Sequence, residues 1–248
     1  MAYTLEVIAY CIEACRIAAL AGADRIELCD NPSDGGTTPS TGMIRRAKEI
    51  CSIPIFPIIR PRGGDFLYSD DEFRIMKADI SFCREIGCEG VVLGLLDKDG
   101  QVDSERTSAL TDLAYPMDVT FHRAFDRVKD PFQSLEDIIR CGCTRILTSG
   151  LKPTATEGIG LLKALNDAAG GRITIMPGSG IRASNIAALA MSTGSRELHS
   201  SAAIKVDSHM EYLNEKMQEQ LQHVIPDREE IAAMKSALAN LGSDRLES

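Results

Sequence analysis

Four times along this chain a helical stretch ends in glycine and an apolar segment begins two or three residues later. The copies are "GADRIEL" from Gly22, "GCEGVVLG" from Gly87, "GCTRILTSG" from Gly142 and "GSRELHS" from Gly194. Glycine just past a helix end takes the left-handed cap conformation without a Cβ penalty. Helix, cap and strand repeated in that order make alternating β and α units, and such units stack their strands in a parallel sheet. About eight strands follow on this pattern: Thr4–Ala9, Arg25–Cys29, Ile55–Arg60, Gly90–Gly94, Met117–His122, Arg145–Thr148, Ile173–Met176 and Arg196–His199. Amphipathic stretches lie between them, among them Cys11–Ala21, Ser69–Ile86, Pro131–Cys141 and Ala183–Thr193.

No linker or low-complexity segment divides the 248 residues. The pattern predicts a single domain, 1–248, folded as a (β/α)8 TIM-like barrel with an irregular last unit. A doubly wound open sheet is the alternative. Strand residues alternate between the barrel interior and the helix layer. Leu5 and Val7, Ile26 and Leu28, Val119 and Phe121, and Leu198 form the apolar set that meets the helices. The interior then receives Glu6, Glu27, Arg60, His122, Glu197 and His199. Ionisable groups are too costly to bury unpaired, so these must pair with one another, line a wet pocket, or both.

Composition narrows the partners. A formal net charge of -9 argues against nucleic acid and anionic membranes, and no apolar run reaches spanning length. The N-terminal stretch is interrupted by Glu6, Glu13 and Arg16, so it reads as no secretion signal. The eight cysteines then read as thiols of a cytoplasmic protein. Walker A, GxSxG and dinucleotide fingerprints are absent, so no nucleotide cofactor is expected. No zinc spacing occurs, and no lysine closes a strand to form a Schiff base.

The strand ends carry the candidate chemistry. "FPIIRPRGGDF" closes the third strand with Arg60 inward and Arg62 on the rim, where ligands bind in this fold. "VTFHRAFD" closes the fifth with His122, followed by Arg123 and Asp126. His122 reads as an acid–base group, and Asp126 either orients it or caps the next helix. Glu27 is a second acid–base candidate, or else a structural partner of Arg60. "LTSG", "PGSGI" and "HSSA" follow strands six to eight, and small residues with free N–H groups there can cradle an anion. These loops contribute Thr148, Ser149, Gly178, Gly180 and Ser200, with Glu6, Arg123 and His199 beside them. Ser40 reads as a helix N-cap. Among the cysteines, Cys29 and then Cys11 approach the rim.

The segments "LEV", "GADRIELC", "GGTTPS", "IRPRGGDFLYS", "VTFHRAFD", "RILTSG" and "ELHSSA", in that order from about Leu5 to Ala202, resemble the copper homeostasis protein CutC family. The resemblance implies a TIM-like barrel, a cytoplasmic homodimer and a link to copper tolerance. It also implies Cu(I) binding through cysteines near the first two strand ends. The second of these is Cys29; at the first, where many members read "EVC", this chain reads "EVI" with Ile8, and Cys11 follows three residues on. A soft Cu(I) site wants a second sulfur or a histidine beside Cys29.

Two functions stay open on these residues. One is copper homeostasis with Cu(I) at Cys29. The other is a barrel enzyme or sensor for a small anionic metabolite, phosphorylated or not. In that case Arg60, Arg62 and the Gly/Ser loops hold the anion, while Glu27 or His122 moves protons. Residues 203–226 form an insertion before the last helix, Asp227–Leu241. Met210, Leu213, Met217, Leu221 and Val224 recur there at helical spacing. That insertion is a helix packed on its own barrel, a lid or a subunit contact.

Overall fold

The computed structural model describes residues 3–212, 214, 216, 217 and 221–243. Parallel strands and helices alternate: β1 (Thr4–Ala9), α1 (Ile12–Leu20), β2 (Arg25–Leu28), α2 (Thr41–Ile50), β3 (Ile55–Pro57), α3 (Asp70–Glu85), β4 (Gly90–Leu93) and α4 (Ser104–Ala114). They continue as β5 (Asp118–Phe121), α5 (Pro131–Arg140), β6 (Arg145–Thr148), α6 (Ile159–Ala169), β7 (Thr174–Pro177), α7 (Ile186–Thr193) and β8 (Glu197–Ser200). The ladders run β3-β2-β1-β8 and β4-β5-β6-β7. Ile58 joins the two halves by a parallel bridge to Val92, and β7 lies alongside β8, which closes the ring. β2, β3, β4 and β5 are one to three residues shorter than expected, β1 and β6 match the expected bounds, and β7 and β8 are shifted by one residue toward the carboxyl end.

Local chemistry sets the boundaries. Gly22, Gly87, Gly142 and Gly194 all have positive φ, as the cap pattern requires. Ser40 accepts from the Met43 N–H at the start of α2, and Ser69 forms a reciprocal capping box with Glu72 at α3.

Strand parity divides the core in two. Leu5, Val7, Ile26, Leu28, Ile55, Val91, Leu93, Val119, Phe121, Ile146, Ile175 and Leu198 join the shell between sheet and helices. Ile8, Cys29, Phe56, Ile58 and Val92 form a separate, smaller cluster with Tyr10 against it. The second cluster shares its parity with the charged strand residues, so it fills the barrel interior.

The interior holds more charge than the six residues expected there, because Arg25 and Arg145 also enter it. Arg25 donates Nε to Glu6 at 2.5 Å and Nη2 to Glu197 at 2.7 Å. Arg145 donates Nε to the same Glu197 at 2.6 Å and Nη1 to the Thr120 hydroxyl at 3.2 Å. Both guanidiniums lie over the Phe56 ring, 5.0 and 5.7 Å from its centroid. The charges of Glu6, Arg25, Arg145 and Glu197 are therefore matched by one another, without which burial would cost several kcal/mol per ion.

After β8 the chain departs from the expected helix. Ala203–Val206 (β9) and His223–Pro226 (β10) pair antiparallel, with Ala203 opposite Pro226 and Val206 opposite His223. Their Ile, Val and Ala side chains suit a two-stranded ribbon, so Val224 sits in a strand. Among the described residues between these strands no helix forms; Leu213 lies outside them. Met210, Tyr212, Met217 and Leu221 are exposed rather than packed on the barrel. The last helix is α8 (Arg228–Ser243).

Glu197 bridges two arginines, so Glu197→Ala should cost about 3 kcal/mol in chemical denaturation by leaving both underpaired. Burial opposes ionisation of this carboxylate, but the Arg145 bond and the charges of Arg145 and Arg25 overcome it and lower its pKa. Its contribution is thus complete above the ordinary glutamate pKa of roughly 4.3 and fades as pH falls below that value. A stability identical in wild type and variant across that range would contradict the network's role.

Candidate active site

The carboxyl ends of the strands surround a cavity of about 850 Å³. Glu27, Arg60, His122, Arg123, Asp126, Gly180, His199 and Ser200 line it, together with Ile8, Tyr10, Ile58, Phe66 and Leu147. Arg62 and Thr148 do not, and neither does any described residue of 203–226.

One edge of the cavity floor is built by three adjacent strands. In the β1 ladders Glu6 stands level with Arg25 on one side and His199 on the other, while Glu27 stands level with Ile8. Glu6 is fully buried; one oxygen accepts from Arg25 and the other meets His199 Nδ1 at 2.8 Å. Burial alone would protonate Glu6, but the Arg25 charge and the His199 hydrogen bond prevail and hold its pKa near 2. Burial likewise disfavours a charged His199, yet the Glu6 bond and the Glu27 and Glu6 charges raise its pKa. Glu27 is different. No hydrogen bond from a described residue reaches its carboxylate, and its nearest charged neighbour is His199 Nε2 at 3.6 Å. Burial, with the Glu6 charge, outweighs the attraction of His199 and Arg25 and pushes it up to about 7.

The ends of β3 and β5 carry donors. Arg60 gives Nη1 to the carbonyls of Asp34 and Gly36 and Nη2 to that of Gly64, tying two rim loops together. Its Nε is buried without a partner. Phe66 packs on both Arg60, at 5.1 Å, and His122, at 5.0 Å between ring centroids. His122 Nδ1 accepts from the Ala124 N–H, which leaves the hydrogen on Nε2, and Nε2 has no partner. Glycine is required beside it at Gly94, where a Cβ would stand 2.4 Å from Nδ1. Burial and the Arg60 charge press the His122 pKa down to about 3.

Several expected roles fall differently. Asp126 does not orient His122. It accepts from the Thr148 hydroxyl at 2.6 Å and from the Ser149 and Leu151 N–H groups at 3.0 and 3.2 Å, and it pairs with Arg123 Nε at 2.7 Å. The loop after β6 therefore spends its anion-binding groups on a carboxylate of the chain itself, so Thr148 and Ser149 are not available as a cradle. Gly178 donates to the Thr148 carbonyl, and Ser200 Oγ to that of Ile181. Arg62 turns to Glu72 and Asp65, stapling the loop before α3 instead of meeting a ligand. Glu6 sits beneath the cavity as a partner of Arg25 and His199. Cys11 caps α1, its Sγ accepting from the Ala14 N–H. Cys29 lies fully buried in the interior apolar cluster, where burial and then the Glu27 and Glu6 charges drive its thiol pKa well upward.

The CutC family model matches residues 3–204. A CutC family protein of Chromobacterium violaceum is 52% identical over 208 residues, covering 84% of each chain. The human copper homeostasis protein cutC homolog is 46% identical over 212 residues, 86% of this chain and 78% of that protein. The chain belongs to the CutC family. A crystal structure described as a copper homeostasis protein CutC of Streptococcus agalactiae superposes with a TM-score of 0.77 at 35% identity, covering 80% of this chain and 98% of that one. Outside the family, N-(5'-phosphoribosyl)anthranilate isomerase from Pyrococcus furiosus shares the barrel alone, with a TM-score of 0.58 at 13% identity.

In this CutC family member, His122 should stay neutral across the physiological range. Imidazole nitrogen NMR should show the Nε2–H tautomer, unchanged from about pH 8 down to pH 5. A midpoint near the ordinary value of roughly 6.5 would contradict the burial described here.

Proposed function

We propose that this protein acts in copper homeostasis, in the cytoplasm, through the cavity at the barrel mouth. The observation that carries the reading is that cavity, bordered by His122 and Arg60, whose Nε2 and Nε have no partner, and by Glu27, which meets only His199 Nε2 at 3.6 Å. Family membership supplies the link to copper, which is cargo in this reading. All eight cysteines are free thiols, in keeping with a cytoplasmic setting. The exposed Met210, Tyr212, Met217 and Leu221 on and beside the β9–β10 ribbon support a homodimer contact there.

Cys29 does not fit a Cu(I) site. Its neighbours in the interior cluster are Ile8, Phe56, Ile58 and Val92, with no second sulfur among the described residues of that cluster. Its thiol is held protonated, whereas metal binding requires the thiolate. Ile8, which replaces the cysteine of many relatives, supplies only packing.

A second reading draws on the unpartnered donors at the ends of β3 and β5. The buried N–H groups of Arg60 Nε and His122 Nε2 want an acceptor, which a small oxyanion or carbonyl ligand would supply. With Glu27 poised to exchange a proton, the cavity then suits an enzyme or sensor for a small anionic metabolite.

Complementation separates the mouth from the thiol. In cells lacking this protein, the wild type and Cys29→Ser should restore growth in copper equally. Ser201→Trp, which places an indole in the mouth, should fail. Rescue by Ser201→Trp together with failure of Cys29→Ser would return copper to the thiol and sink the cavity reading.

A further inference from the structure

Glu27 poses the problem. A carboxylate 3% exposed, bordering a cavity and free of hydrogen bonds from described residues, is destabilised unless something positive joins it. His199, its nearest basic neighbour, presents the wrong face when neutral. His199 gives Nδ1–H to Glu6 at 2.8 Å, so its Nε2 lone pair looks toward Glu27 across 3.6 Å. Two lone-pair donors are thus held facing a common point.

The support behind them is rigid. Glu6 fixes the imidazole, Arg25 fixes Glu6, and Glu197 fixes Arg25. A histidine held through its remote nitrogen by a buried carboxylate is the outer-shell arrangement that metal-ligating histidines require. Donor atoms of Glu6, Glu27 and His199 all lie within 4.8 Å of one another. Since the two Glu6 oxygens are engaged by Arg25 and His199, Glu6 serves as support and not as a ligand. Two donors 3.6 Å apart can be bridged by one ion at about 2.1 Å from each.

A separate observation points to an occupant of the same space. His122, on another strand end, is 4% exposed and is among the residues bordering this cavity, and its Nε2 has no partner.

We propose that Glu27 and His199 are the protein ligands of an open divalent-cation site on the cavity floor, oriented by Glu6, with its remaining positions facing the mouth. The inference deepens the cavity reading above and rests on it. Imidazole and carboxylate favour borderline divalent ions such as Zn(II) or Cu(II) over Cu(I), which prefers sulfur. An open position leaves room for water or a small oxygen ligand, as in catalytic rather than structural sites.

The test uses protein stripped with chelator and then titrated with Zn2+ by calorimetry at neutral pH. One equivalent should bind, and Glu27→Gln and His199→Asn should each weaken it by at least about 100-fold. Glu6→Gln should weaken it by roughly 10- to 100-fold, and Cys29→Ser should leave it unchanged. Because a variant can misfold, the wild type carries a second readout. Co2+ added in place of Zn2+ should shift or broaden the His199 imidazole resonances more than those of His209 or His223. The inference is overturned if no Zn2+ binds more tightly than millimolar, if the equivalent survives in both Glu27→Gln and His199→Asn, or if Co2+ perturbs His209 or His223 most. Any of these results, obtained while Ser201→Trp still abolishes copper rescue, would remove the metal site and leave the cavity reading standing.

Discussion

The fold depends on charges buried inside a closed sheet. A (β/α)8 barrel must face one side of every strand inward, and here that side carries Glu6, Arg25, Glu27, Arg145, Glu197 and His199. Most small barrels fill this space with branched apolar residues. This one fills part of it with Phe56, Ile58, Val92 and Ile8 and neutralises the rest by cross-strand ion pairs stacked on Phe56. Such pairs add little net stability over apolar packing, but losing one partner strands the other. Strand order and register are thereby tied to charge matching.

Above that matched layer the balance stops. Glu6 belongs to both levels, bound to Arg25 below and to His199 at the cavity. Glu27, one strand away, receives nothing comparable. Proteins satisfy buried polar groups unless a site needs them free. The incomplete layer coincides with the mouth, where Arg60 and His122 also keep N–H groups unused. Rim loops, by contrast, are thoroughly tied: Arg60 to three carbonyls, Arg62 to Glu72 and Asp65, Asp126 to the loop after β6. The cavity is thus framed by rigid supports around a few unquenched groups, the preorganisation that binding and catalysis both favour.

The units, the glycine caps and the inward parity of Glu6, Glu27, Arg60, His122 and His199 were all legible, because each rests on spacing within one segment. So were the motifs that mark the CutC family. Arg25 shares the parity of Glu27 and Arg145 that of Leu147, yet both look like the edge of a strand until their partner, Glu197, is seen across the barrel. Asp126, Arg62 and Thr148 misled for the opposite reason. Their types suit ligand binding, but partners distant in the chain, or in a loop without periodicity, had already engaged them. The insertion at 203–226 carried apolar residues at helical spacing, while its β-branched ends paired as a ribbon whose partners are some twenty residues apart.

The account turns on a contrast between two neighbouring glutamates, one matched and one not. Denaturant unfolding of metal-free protein at about pH 8 measures it directly. Glu6→Gln should lose about 3 kcal/mol, since Arg25 and His199 lose their shared anion, whereas Glu27→Gln should gain about 1 kcal/mol by removing a buried charge that no hydrogen bond from a described residue offsets. Opposite signs are the prediction; a comparable loss in both variants would show that Glu27 is already satisfied and contradict the account.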